Sequence, residues 1–500
     1  MKRRIHSAAW GLACLALLAF TTPTAAVPAA PPATEAELAA LVERVMTTGL
    51  TPGMGVAVIQ DGRLVLERGF GLAELETPRK VEPSTRFYTA STSKAFSALA
   101  AALLAARGEL DLEAALLAAL PRAHWHPELR PDSIRVRDLI SLTHGIAYGP
   151  ATYRIAFSGE AAEADLLAAL VEHAPADWGR AFHYDNLGYD LLGLVFAAQT
   201  GRNWREVLEQ EVITPLGLQR TSTRRSTLPD AEVALGYELG TVDFERCLAE
   251  KTDANMGPAN GLFCSAGDLA RLLLAELHQG RLEGRQVFPA ATVAATQQAQ
   301  VEREPSGELF VRTAWGMGWD IGTYAGETCL FRNGAFAGYY SHASFLPERG
   351  AAVVILVNGG MAGAQAAEFA AAMLYDRLLG RTGERAFLDE LTAMKAQALK
   401  AIAADRAKRA QRPQVLPLPF AAYAGTYANP NWGTVTLLLS GERLEARLGN
   451  LRCPVEVYDS TKHVLRVDMA GRGTLLTALA PEGAQAPTAI LFLDQTFTRR

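Results

Sequence analysis

Strand character in this chain comes in two blocks far apart in sequence, and that separation limits the fold more than any composition does. Residues 54–60 and 64–70 are apolar and flank Asp61-Gly62, which reads as a β-hairpin. Strand character returns at 329–332, 339–346 and 352–357. Between the blocks, from Ser91 to about Gly280, the pattern is helical and broken by loops rich in Pro, His and Gly, and 364–379 reads as one more helix. Such an order implies one sheet assembled from distant parts of the chain with helices packed on it, so an α+β or mixed α/β fold is expected.

The two ends add other units. Lys2, Arg3 and Arg4, an apolar run over 8–20 and the exit Thr24-Ala25-Ala26 describe a secretory signal peptide over 1–26 better than a retained anchor. A flexible Pro/Ala-rich exit covers 27–34, and Leu38, Leu41, Val42 and Val45 then repeat at helical spacing. No later stretch supplies ~18 strongly apolar residues, so no membrane contact is expected once the signal is removed, and a periplasmic or secreted protein is. That compartment permits disulfides among Cys247, Cys264, Cys329 and Cys453, while buried free thiols fit the same four residues.

Toward the C-terminus, Phe387, Leu391, Met394, Ala398 and Ile402 form one narrow apolar stripe on a polar helix stopped by Pro413, giving a connecting helix over 381–412. Beyond it Val435, Leu437, Leu439 and then Leu444, Ala446, Leu448 alternate about Ser440-Gly441-Glu442. Residues 413–500 are therefore expected to form a small antiparallel barrel or sandwich.

With 49% hydrophobic and 20% charged residues among 500, the chain can bury a large core, and a net charge of −5 argues against a surface that grips nucleic acid. There is no Gly-x-Ser-x-Gly, His-Glu-x-x-His or Walker A pattern. His124 and His126 lack a third clustered ligand, so neither a metal nor a cofactor is expected.

Ser91-Thr92-Ser93-Lys94 precedes Phe96, Leu99 and Leu103 at helical spacing, which puts Ser91 and Lys94 on one face of a helix's first turn. A serine hydroxyl needs a nearby base, and a lysine serves only where burial or neighbouring cations depress its pKa. The free N–H groups of a helix N-terminus also suit a developing oxyanion. Tyr184-Asp185-Asn186 adds a phenol able to shuttle the proton and an amide able to hold a carbonyl. Tyr427-Ala428-Asn429 has the same spacing, and spacing alone does not choose between the two.

Context does choose. The run Phe87-Tyr88-Thr89-Ala90-Ser91-Thr92-Ser93-Lys94, then Phe182-His183-Tyr184-Asp185-Asn186-Leu187-Gly188-Tyr189, Pro215-Leu216-Gly217-Leu218, Gly261-Leu262-Phe263 and Asp268-Leu269-Ala270 resembles, in that order, the serine β-lactamase and penicillin-binding-protein superfamily. Within it the chain is similar to class C β-lactamases and their esterase and D-peptidase relatives. The resemblance implies a catalytic domain over 35–380, an antiparallel sheet flanked by helices with a helical subdomain. It also implies acyl transfer: Ser91 attacks a carbonyl, Lys94 and Tyr184 exchange its proton, and Asn186 orients the substrate.

Arg332-Asn333-Gly334 matches the superfamily's third motif, which gives Arg332 and Gly334 substrate-binding places and makes the N–H groups of Ser91 and Ala335 the oxyanion hole. Arg332 departs from the usual Lys or His. It can hold Tyr184 toward phenolate or bind a substrate carboxylate, but it cannot relay a proton. Leu142-Thr143-His144-Gly145 lacks two small residues that relatives carry, so His144 reads as structural, His183 and His342 as loop or sheet residues, and Tyr427 as a strand-edge aromatic. Tyr423 to Tyr427 and Phe497 resemble an appended lipocalin-like domain.

The expected protein is an exported serine hydrolase cleaving peptide amides, including those with D-amino acids. A carboxylesterase, a β-lactamase and a silent scaffold are the alternatives. Its partner is a small-molecule or peptide substrate, and oligomeric state is left open.

Overall fold

The computed structural model describes residues 32–381, 386–469 and 472–500. The expected signal peptide and the exit segment up to residue 31 lie outside the described residues.

Helix α1 (Glu35–Met46) starts at Thr34, whose side chain caps the Glu37 N–H while the Glu37 carboxylate accepts from the Thr34 N–H at 2.9 Å. Nine strands then form one antiparallel sheet: β1 (Gly53–Gln60), β2 (Arg63–Glu74), β3 (Arg79–Lys80), β4 (Val301–Ser306), β5 (Phe310–Trp315), β6 (Asp320–Tyr324), β7 (Glu327–Phe336), β8 (Tyr339–Leu346) and β9 (Ala351–Val357). Their order is β4-β5-β6-β7-β8-β9-β1-β2-β3. The two distant blocks meet where β1 pairs with β9, Val56 opposite Ile355.

Both faces of that join are covered. Met54, Val56 and Val58 pack with Leu38 and Val42 of α1 and with Ala367 and Leu374 of α5 (Gly360–Leu378). Ala57 and Ile59 face the other core, with Phe96 and Leu99 of α2 (Ser93–Ala106), Leu191 and Val195 of α3 (Leu187–Thr200) and Leu269 of α4 (Ala266–Leu277). Two covered faces explain why β1 and β9 read as continuous apolar runs.

Strands β4 to β6 are the part of the sheet that the sequence pattern did not announce. β4 alternates half-buried and exposed positions and carries Glu302, Arg303, Glu304 and Pro305, as befits the outer edge of a sheet.

After α6 (Phe387–Ala410), in which only Phe387 and Leu391 are buried, eight strands in chain order close a barrel: β10 (Gly425–Asn429), β11 (Gly433–Ser440), β12 (Arg443–Leu448), β13 (Leu451–Asp459), β14 (Val464–Met469), β15 (Arg472–Leu479), β16 (Ala489–Phe492) and β17 (Gln495–Arg499). Closure pairs β10 with β17, so Tyr427 is not a strand-edge residue as expected. It fills the barrel core, and its hydroxyl donates to the Tyr423 carbonyl at 2.9 Å.

The barrel docks on the helical part of the larger unit. The Asn450 N–H donates to the Ser158 carbonyl (2.8 Å), the Thr434 N–H to Glu160 (3.0 Å), and the Trp432 ring lies 5.7 Å from Tyr153. Cys247, Cys264, Cys329 and Cys453 are free thiols.

Candidate active site

Ser91 lies just ahead of the helix in which its spacing placed it. It occupies a 3₁₀ turn, Ala90–Thr92, that leads into α2 at Ser93. Ala90 is held at φ 44°, the left-handed region that costs a Cβ-bearing residue 1–2 kcal/mol on the order of magnitude. The surroundings over-determine the turn. The Thr89 N–H donates to Leu262 (3.0 Å) and the Thr92 N–H to Thr89 (3.1 Å), while the Ser341 hydroxyl of β8 donates to the Thr89 carbonyl and lies 2.8 Å from the Thr92 hydroxyl.

Lys94 is fully buried, and its Nζ donates to Ser91 Oγ (3.3 Å), Asn186 Oδ1 (2.6 Å) and the Ala259 carbonyl (3.2 Å). All three acceptors are neutral, and among the described residues Lys94 forms no ion pair. Burial therefore pushes its pKa below the ordinary lysine value; the Tyr184 oxygen pulls it back up and the Arg332 charge pushes it further down.

Tyr184 shows 38% of its surface, yet its hydroxyl end is enclosed by Ser91, Lys94 and Arg332. Burial alone would raise its pKa. The positive charges of Arg332 and Lys94 and a hydrogen bond from Ser91 outweigh that and hold the phenol below its ordinary value. Lys94 and Tyr184 thus shift each other, the phenol oxygen favouring the charged amine and the amine's charge favouring the phenolate.

Arg332 on β7 is 5% exposed and lies against a pair of touching rings, its guanidinium 5.0 Å from the centres of both Tyr184 and Trp315, which are 5.7 Å apart. Its Nη1 is 3.2 Å from Asp320 Oδ2, within ion-pair range but off hydrogen-bond geometry, and its Nε donates to the Asn333 carbonyl at 3.1 Å. Of the two roles open to it, the surroundings favour charge support of Tyr184 and leave little of the side chain open to a substrate carboxylate.

Gly334 has a packing reason to be glycine. A Cβ there would run into the Thr89 carbonyl and come within 2.8 Å of the Ser91 nitrogen, so β7 lies directly against the nucleophile turn. Ala335, next along β7, is exposed and pairs with Tyr340. Ser91, Lys94, Tyr184, Asn186, Arg332, Gly334 and Ala335 are therefore gathered around the nucleophile turn. One buried amine and one acidified phenol reach Ser91 together.

Across the chain, a β-lactamase family model matches residues 38–375. The chain belongs to the β-lactamase family. Among curated members of the superfamily it is similar to penicillin-binding protein 4 of Amycolatopsis lactamdurans, 28% identical over 326 residues that cover 62% of this chain and 82% of that one. Among solved structures it resembles the octameric penicillin-binding protein homologue from Pyrococcus abyssi, with TM-score 0.57 and 19% identity over 93% of this chain and 99% of that one. It also resembles EstCE1, a hydrolase with promiscuous acyltransferase activity, with TM-score 0.57 and 22% identity over 68% of this chain and 99% of that one. At these identities the two structural likenesses speak to the fold.

Other residues of this β-lactamase-family chain fall outside this cluster or support it from behind. His144 is buried, with Nε2 3.3 Å from Asp185 and Nδ1 accepting from the Ile146 N–H (3.1 Å). His183 stacks on Trp178 at 3.7 Å, and His342 is buried on β8 between Glu368 (3.0 Å) and Ser344 (2.7 Å). Among the described residues, no group of three or more His, Cys, Asp or Glu side chains is placed to hold a metal ion. Sequence reasoning missed Asp320, Trp315, Ser341 and Ala259. None lies in a motif; Ala259 acts through its carbonyl, and Asp320 and Trp315 reach the site only through the register of strands β5 to β7.

Proposed function

We propose that this protein is an exported serine hydrolase that forms an acyl-enzyme on Ser91, with peptide amides, including those built on D-amino acids, as its substrate class. The observation that carries the reading is Lys94: a fully buried amine 3.3 Å from the Ser91 hydroxyl with only neutral hydrogen-bond partners. As Ser91 Oγ bonds to the substrate carbonyl carbon, its proton passes to the Lys94–Tyr184 pair. The carbonyl oxygen gains the charge and is met by the N–H groups of Ser91 and Ala335. Asn186 has its oxygen on Lys94, which leaves its NH₂ for the substrate carbonyl. The pair then protonates the leaving amine, and water, deprotonated by the same pair, releases the acyl group.

Support for a peptide comes from similarity to penicillin-binding protein 4 and from the barrel, whose core cluster reaches Phe336 and Ala337, just beyond Ala335 on the chain. The ester reading is favoured by the likeness to EstCE1. Incubation with a serine-reactive phosphonate followed by peptide mass spectrometry is expected to place one adduct on Ser91, and none in Ser91→Ala. A folded protein with no adduct would return the chain to the scaffold reading. A library of D- and L-terminated peptides beside short-chain nitrophenyl esters separates the two enzyme readings: ester turnover with no peptide cleavage selects the esterase.

A further inference from the structure

Behind the strand that faces Ser91, helix α5 carries Glu368. Its Oε1 accepts from the Asn333 side-chain amide on β7 (2.9 Å) and from the Tyr340 hydroxyl on β8 (2.6 Å), and lies 3.0 Å from His342 Nδ1, also on β8. One carboxylate oxygen on a helix thus joins two neighbouring strands.

The strand pleat puts these contacts directly behind the nucleophile turn. Successive side chains on β7 point to opposite faces, so Arg332 and Gly334 face Tyr184 and Ser91 while Asn333, between them, faces α5. Register pairs Asn333 with His342 and Ala335 with Tyr340. Glu368 therefore grips the row between Arg332 and Gly334 and the row of Ala335, whose N–H the acyl-transfer reading gives to the oxyanion.

Asn333 has no other side-chain hold. It is 8% exposed, its Oδ1 is buried without a hydrogen-bond partner, and among the described residues its amide is bonded to Glu368 alone. Asparagine is depleted in strands and a buried unpaired amide oxygen is costly, so neither propensity nor packing accounts for it here. Burial would raise the Glu368 pKa; the facing imidazole of His342 and the hydrogen bonds from His342 and Tyr340 outweigh that and hold it below the ordinary carboxylate value. The group stays an acceptor.

The network continues from His342 Nε2 to the Ser344 hydroxyl (2.7 Å) and on to the Tyr375 hydroxyl (2.9 Å). Ser344, His342 and Glu368 have the bond order of a nucleophile triad, but Ser344 and His342 have no exposed surface, so no substrate carbonyl reaches that serine.

We propose that Glu368 is a positioning residue for acyl transfer, gripping Asn333 from behind so that β7 presents the Ala335 N–H to the oxyanion at Ser91 and the Arg332 guanidinium to Tyr184. This role rests on the proposed function. A displaced oxyanion donor weakens transition-state binding and leaves ground-state binding of a small reagent nearly unchanged, so the loss belongs to the maximal rate.

Reaction of the full chain with ethyl p-nitrophenyl methylphosphonate tests it, read as p-nitrophenol release and as adduct mass on Ser91. Ser91 Oγ bonds to phosphorus, p-nitrophenolate leaves with the electron pair, and the serine proton passes to the Lys94–Tyr184 pair. Asn333→Ala is expected to lower the maximal labelling rate roughly tenfold or more, with the half-saturating phosphonate concentration within about twofold of wild type. Tyr340→Phe removes another donor to the same oxygen but leaves β7 linked, and should keep the rate within about twofold despite a lower thermal midpoint. Glu368→Leu should match Asn333→Ala, and the double variant should lose no further rate, since both break one link. Glu368→Gln, whose amide oxygen still accepts from Asn333, should recover most of it. A wild-type rate in folded Asn333→Ala, or equal losses in Asn333→Ala and Tyr340→Phe, would overturn the role while leaving acyl transfer in place. A folded wild type that is never labelled would overturn the acyl-transfer reading, and this role with it.

Discussion

At the scale of single residues the site depends on how charge is distributed around Lys94 and Tyr184. Arg332 lowers the pKa of both, by direct repulsion at Lys94 and by attraction at the phenolate. Removing it should raise both, so Arg332→Gln is expected to move the acidic limb of the kcat/KM profile to higher pH and to lower turnover at neutrality, while Arg332→Lys keeps the limb in place. A pH–rate profile of the two variants on one ester checks this, and an unmoved limb in the Gln variant would show that Arg332 does not tune the pair. Lys94→Arg retains the charge but cannot shed its proton, and a loss of roughly 10²–10⁴-fold in kcat is expected. Lys251 gives a stability test. Burial pushes its pKa down to about 7, below its ordinary lysine value. Between those values the unfolded chain binds a proton that the folded chain does not, so stability rises with pH across the window and the penalty is largest below it. Urea unfolding should therefore show a wild-type gain of up to about 1.4 kcal/mol per pH unit above pH 7 that Lys251→Met lacks.

Elements set the distances that those residues need. Gly334 lets β7 touch the turn that carries Ser91, and Gly334→Ala should force the two apart, since the Thr89 carbonyl, the Ser341 hydroxyl (2.7 Å) and the Ser91 nitrogen all lie in the way. A fall in kcat with little change in KM for a small ester is expected, together with a lower thermal midpoint; full activity in that variant would mean that the contact is not needed to hold the oxyanion geometry. The Ser91–Lys94 spacing was legible because both residues fall within one turn, a local property of the chain. The strain at Ala90 was not, because much of what holds its turn, Leu262 and Ser341 bonded to Thr89, is far away in sequence. β1 and β9 announced themselves as apolar runs for the same reason that they are central. β4 to β6 did not, because short outer strands alternate polar and apolar residues and end in Gly turns, a pattern that loops share. Asp320, the anchor of Arg332, went unread with them.

Whole-molecule organisation joins two units that the sequence presents as separate. The apolar alternation beyond residue 424 was enough to announce a β unit, but nothing in it says where that unit docks, since the contact is made by a loop of the barrel and by helical residues far upstream. A row of rings runs from the barrel to β7: Trp432 to Tyr153 at 5.7 Å, Tyr153 to Phe157 at 6.2 Å, and Phe157 to Phe336 at 6.3 Å, with Phe336 following Ala335 on β7. The row links the barrel to Phe336, so, on the proposed function, a peptide long enough to extend past Ala335 is expected to meet the barrel and a short ester is not. Trp432→Ala should cost about 3–5 kcal/mol, the range for emptying a buried tryptophan site. Part of that loss should appear as looser docking, read as faster proteolysis between α6 and β10. The same variant should raise KM for a peptide substrate while leaving kcat/KM for a short-chain ester close to wild type, and Glu160→Ala, which removes the acceptor for Thr434, should act in the same direction and more weakly. Equal effects on peptide and ester would mean that the barrel stabilises the fold without touching the substrate.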